Sequence, residues 1–130
     1  MEPTPPRPHR AASRLASFRY AFAGWAAVLR TQPNARVHAA LTAAAVGLAA
    51  WLRPGRAEWA LLALTVGLVW VAECVNTAVE AAVDLASPGL HPLARLAKDA
   101  AAAGVLLAAL AAVAVGLLVL GPPLWGRLAP

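Results

Sequence analysis

The chain has 130 residues, of which 61% are hydrophobic and only 13% charged. A soluble domain of this size would need more polar surface than that, so the composition points to an integral membrane protein. The net charge of +5 does not mark a nucleic-acid binder, because the basic residues gather beside apolar runs. The single Cys74 excludes an internal disulfide and any multi-cysteine metal site.

Residues 1–11 hold four prolines and little to bury. They read as a disordered tail without the apolar core of a signal peptide. Over residues 12–32, Leu15, Phe18, Phe22, Trp25 and Leu29 recur at helical spacing, with Arg14, Arg19 and Arg30 outside the stripe. That pattern predicts an N-terminal amphipathic surface helix in the cytoplasmic interface. Thr31-Gln32-Pro33-Asn34 ends it, because proline disfavours the helical region for the residue before it. The first span is residues 35–52, rich in alanine and glycine that let helices approach closely. Arg53-Pro54-Gly55-Arg56 is a short outer turn to an antiparallel second span, residues 57–86. Ser87-Pro88-Gly89-Leu90-His91-Pro92 makes the inner loop. The third span is residues 94–120; its last 21 residues carry no charge, enough to cross ~30 Å of hydrocarbon at about 1.5 Å per residue. Gly121-Pro122-Pro123 stops it, leaving a short tail in which Trp125 anchors at the outer interface. Eight basic residues lie ahead of or at the entry of the first span (Arg7, Arg10, Arg14, Arg19, Arg30 and Arg36) or at the start of the third (Arg95 and Lys98), against three elsewhere (Arg53, Arg56 and Arg127). This asymmetry places the N-terminus in the cytoplasm and the C-terminus outside.

The second span carries an unusual face. Glu73, Asn76, Glu80 and Asp84 stand at i, i+3, i+7 and i+11, within an arc of roughly 80° on a helix. No other charge occurs in the fourteen residues before Glu73. Counting from Trp59 puts Glu73 roughly 21 Å in from the outer boundary, so the face slopes from hydrocarbon to cytosol. Burying an unpaired carboxylate costs several kcal/mol, so the face needs a metal ion, a cation or a substrate. Lys98 and Asp99, at the start of the third span, come to the same depth as Glu80 and Asp84.

Three chemistries fit such a face. Glu73 could act as general base on a lipid hydroxyl, with Glu80 and Asp84 or Asp99 holding Mg²⁺ and Lys98 neutralising ATP phosphates. It could instead be the proton- or ion-carrying site of a conducting oligomer. The polar groups could also serve only as glue between helices. A lysine beside Glu80 is of use to an ATP site and of none to a transporter.

The run from Glu73 to Asp84, followed by Ala97-Lys98-Asp99-Ala100, resembles the signature of the prokaryotic diacylglycerol kinase family, which includes the undecaprenol kinases. Ser17-Phe18-Arg19-Tyr20-Ala21-Phe22 with Gly24, then Asn34-Ala35-Arg36-Val37-His38, is similar to the branch that acts on undecaprenol. The resemblance implies an all-α membrane protein, one surface helix plus three transmembrane helices per subunit, assembled as a homotrimer with shared active sites in the bacterial cell membrane. It implies ATP-dependent phosphorylation of a lipid hydroxyl, with undecaprenol favoured and diacylglycerol the alternative. In that reading Glu73 is the base and Asn76 supports it. Glu80 is a Mg²⁺ ligand and Asp84 a polar active-site residue beside it. Tyr20, Gln32, Glu80, Gly89, Leu90, His91, Lys98 and Asp99 take the nucleotide. One departure stands out. The family usually carries a glutamate metal ligand where this chain has Gln32, which offers only a neutral oxygen, so a weaker metal site is expected. His38 and His91 read as interfacial hydrogen-bonders.

Overall fold

Prolines and glycines divide the chain into four helices. The computed structural model describes residues 14–129, and the tail expected at residues 1–11 lies outside them. In chain order the elements are α1 (Arg14–Thr31), α2 (Pro33–Leu52), α3 (Arg56–Ala86) and α4 (Pro92–Leu128). Pro33 and Pro92 each open a helix, a position where the missing N–H breaks no hydrogen bond. Gln32 before Pro33 is extended, with φ −101° and ψ 114°, as the clash with a following proline requires.

The break between α1 and α2 is thus one residue wide, narrower than the four-residue interruption expected. Arg36 stiffens it, donating to the carbonyls of Leu29 at 3.2 Å and Arg30 at 2.7 Å; these lie at the end of α1, where acceptors lack helical partners. Trp25 meets Trp70 edge-on, centroids 5.3 Å apart, and ties α1 to α3. At the end of α2, Arg53 takes left-handed geometry at φ 56° while its N–H still bonds the carbonyl of Ala49. His91 caps α4, Nδ1 accepting from the Leu93 N–H at 3.2 Å.

The third span departs from expectation. Gly121-Pro122-Pro123 does not stop α4, which continues to Leu128. Gly121 has no Cβ to clash with the Pro122 ring, and the last turn is tethered across the bundle. Arg127 donates to the carbonyl oxygens of Trp51 at 3.0 Å and Leu52 at 3.4 Å. Its guanidinium also lies 4.9 Å from the centre of the Trp51 ring. Next to this clamp sits the apolar core of Ala49, Leu52, Leu62 and Leu120.

Packing between α3 and α4 dominates the structure, with α2 laid against the pair. Three helices, α2, α3 and α4, are long and apolar enough to cross a membrane. They leave large apolar side chains outward on several faces, among them Leu64, Leu107 and Leu118, as helices in lipid do. Leu15, Phe18 and Phe22 of α1 are likewise exposed. With the core and the arginine clamp at one end of the bundle, polar residues collect at the other, beside the corner between α1 and α2.

Candidate active site

Glu73 is the most deeply buried charged residue among those described, at 2% exposed, and Asn76 one turn on is buried too. Both belong to α3, in a stretch whose remaining faces are apolar. Helical periodicity then aims Glu73, Asn76 and Glu80 together at the groove where α3 meets α2 and α4. There they line a cavity of about 270 Å³. From the start of α2 come Gln32, Asn34 and His38; from α4, Ala102, Val105, Leu106 and Ala109 close the far wall.

Within the cavity, Glu80 is held by two amides. Gln32 Nε2 donates to one of its oxygens at 3.0 Å, and Asn76 Nδ2 to the other at 3.0 Å. Glu73 is poorly satisfied by contrast. His38 Nε2 approaches its Oε1 to 3.2 Å, yet this oxygen has no aligned hydrogen bond, nor does Asn76 Oδ1. Thr77 donates to the backbone carbonyl of Glu73 at 2.9 Å, which fixes the helix there but leaves the carboxylate alone. A buried carboxylate so poorly paired costs several kcal/mol. Such a group belongs to a place where a proton, a cation or a substrate completes it.

The residues singled out from the sequence fall into two sets. Glu73, Asn76, Glu80 and Gln32 come together in the cavity. The rest do not line it. Asp84, one turn beyond Glu80, pairs with Lys98 of α4 near the loop that joins the two helices. Asp99 pairs within its own helix with Arg95 at 3.6 Å. Tyr20 is exposed on α1, with the Arg19 guanidinium over its ring at 5.5 Å. Gly89 and Leu90 are exposed in the α3–α4 connection, and His91 is occupied in capping α4. Asn34 and His38, which lie outside that set, also line the cavity. Their spacing of four residues at the start of an alanine-rich helix is the signal that could have found them.

Among the described residues no three His, Cys, Asp or Glu side chains gather as a metal cluster. The cavity nonetheless suits Mg²⁺ in one respect. That ion is commonly held through one or two carboxylates with phosphate oxygens completing its shell. Glu80 would supply the carboxylate, while the unpaired Asn76 Oδ1 and the Gln32 amide would add neutral oxygens.

Comparison with known proteins bears on this arrangement. The sequence profile of the family described as prokaryotic diacylglycerol kinase matches residues 19–120. A Synechocystis protein named diacylglycerol kinase is 48% identical over 85% of this chain and 63% of its own length. A Bacillus subtilis protein named undecaprenol kinase is 37% identical over 83% of this chain and 88% of its own length. The Escherichia coli K12 diacylglycerol kinase is 41% identical over 53% of this chain and 57% of its own length. The chain therefore spans less than two thirds of two of these relatives.

Proposed function

We propose that this chain, which belongs to the prokaryotic diacylglycerol kinase family, transfers the γ-phosphoryl group of ATP to the hydroxyl of a membrane lipid. The observation that carries the reading is Glu73, buried and without an aligned partner, in a cavity between membrane-length helices. A lipid hydroxyl brought beside Glu73 would supply the missing partner. Names given to the relatives favour phosphoryl transfer over ion conduction.

The chemistry asks little of the protein beyond positioning and charge compensation. Glu73 takes the proton of the lipid hydroxyl as its oxygen bonds to the γ-phosphorus. The bond from that phosphorus to the bridging oxygen breaks, and ADP leaves with the electron pair. Asn76 supports the site by fixing Glu80, next in the same row. Glu80, with Gln32 and, on the water side, Asp84, would hold Mg²⁺, which when bound neutralises phosphate charge. Lys98 and Asp99, with Tyr20, Gly89, Leu90 and His91, take the nucleotide in this reading.

Undecaprenol is proposed as the substrate, on the likeness of the α1 and early α2 runs to that branch. Diacylglycerol is the second reading, favoured by the 48% identity to the Synechocystis relative. The enzyme works as a homotrimer in the bacterial cell membrane, its N-terminus and nucleotide site cytoplasmic and its C-terminus outside.

Transfer of labelled phosphate from ATP in detergent–lipid micelles, with each lipid offered separately, tests this directly. The wild-type protein should phosphorylate one lipid. Glu73→Gln should lose on the order of a hundredfold or more, the contribution expected of a general base. No transfer by folded wild-type protein supplied with Mg²⁺ would sink the proposal.

A further inference from the structure

Glu73 meets different surroundings from each element packed around it. The α4 wall of the cavity, Ala102, Val105, Leu106 and Ala109, offers no polar side chain. On α3 itself, Asn76 spends its amide N–H on Glu80. From α2, Asn34 lines the cavity and His38 reaches the carboxylate, Nε2 lying 3.2 Å from Oε1 with His38 only 16% exposed. Among the described residues no other cation or histidine pairs with Glu73.

His38 also marks a boundary. Beyond it lies an apolar groove of about 420 Å³ that includes Leu41, Ala45, Val69, Val113 and Leu117. His38 and Ala109 line the groove and the polar cavity alike. A lipid with its chain in the groove and its hydroxyl in the cavity has its polar–apolar junction at His38.

We propose that His38 is a positioning residue: its Nε2–H holds Oε1 of Glu73 so that Oε2 faces the incoming hydroxyl. This rests on the lipid-kinase reading. Oε1 is fully buried and lacks an aligned bond, and contacts of this kind commonly tighten only once substrate is bound. A carboxylate swinging free would put the base out of register, and a displacement near 1 Å costs about a hundredfold in rate.

Two polar substitutions separate positioning from mere packing. In His38→Gln the amide nitrogen can reach the place of Nε2; in His38→Asn the side chain is too short. With the lipid that wild type accepts, His38→Asn should lower kcat roughly a hundredfold, with KM for ATP unchanged within about twofold. His38→Gln should recover most of the loss. Made in a Glu73→Gln background, His38→Asn should cost nothing further, because the group it serves is gone. Equal kcat in the two variants, a change confined to KM, or a full additional loss in the Glu73→Gln background would each overturn the proposal. Wild type inactive on both lipids would instead overturn the kinase reading, and this inference with it.

Discussion

Gln32 is the residue on which the proposed metal chemistry turns. Its amide donates to Glu80 at 3.0 Å, so the position where the resemblance leads one to expect a second carboxylate here hydrogen-bonds Glu80 and adds no charge. Replacing it with glutamate would set two carboxylates against each other. Like charges at that distance repel unless a cation lies between them. Gln32→Glu should therefore melt at a lower temperature than wild type in chelator and regain or exceed the wild-type value as Mg²⁺ is added. It should also reach half-maximal activity at a Mg²⁺ concentration lower by about tenfold, equivalent to 1.4 kcal/mol of binding. Titration of melting temperature against Mg²⁺ in the two proteins is the check. An unchanged Mg²⁺ dependence would remove Gln32 from the metal site. The partner of Gln32 was foreseeable only through family likeness, since 48 residues separate it from Glu80 and no periodicity spans such a gap.

At the scale of elements, local signals were reliable and long-range ones were not. The apolar runs located α2, α3 and α4, and prolines located the starts of α2 and α4, because span length and proline sterics are local properties. The face bearing Glu73, Asn76 and Glu80 was legible for the same reason. Continuation of α4 past Pro122-Pro123 was not, since the Arg127 contact that accompanies it reaches carbonyls of α2, 75 and 76 residues away in sequence. Removing that tether by Arg127→Ala should cost about 1–2 kcal/mol through the lost hydrogen bonds and ring contact. Activity per folded molecule should hold, because the clamp lies at the opposite end of the bundle from the cavity. Thermal melting alongside kcat separates the two effects. Lys98 should behave in the opposite way. Its pair with Asp84 is partly exposed, and such pairs contribute little to stability. Lys98→Met should leave melting nearly unchanged while raising KM for ATP by about tenfold, if the lysine takes phosphate charge as proposed. Unchanged ATP kinetics would return it to a plain helix-hairpin clip.

For the whole molecule, the groups proposed for catalysis and for nucleotide binding do not all meet within one copy of the chain. The base and the carboxylate proposed for metal share a cavity. The groups assigned to the nucleotide are dispersed: Tyr20 is outward on α1, Gly89 and Leu90 are exposed, and Lys98 is turned to Asp84 outside the cavity lining. Apolar side chains are exposed on several faces of α2, α3 and α4, so surface remains for neighbouring copies as well as for lipid. A cyclic trimer would let the nucleotide groups of one subunit meet the Glu73 cavity of the next. That arrangement has a numerical signature. Glu73→Gln and Lys98→Met should each be impaired alone, but in such trimers assembled from an equal mixture some sites would draw an intact Glu73 from one subunit and an intact Lys98 from its neighbour. Random assortment makes that about a quarter of the sites. Co-expression of the two variants, followed by phosphate-transfer assay at low ATP and by native mass measurement in detergent, should show three chains per particle and activity well above either variant alone. Three chains without recovery would keep each site within a single subunit. A single chain per particle would end the trimeric reading, and the dispersed nucleotide groups would then have to close on the cavity by movement of α1 and the α3–α4 connection.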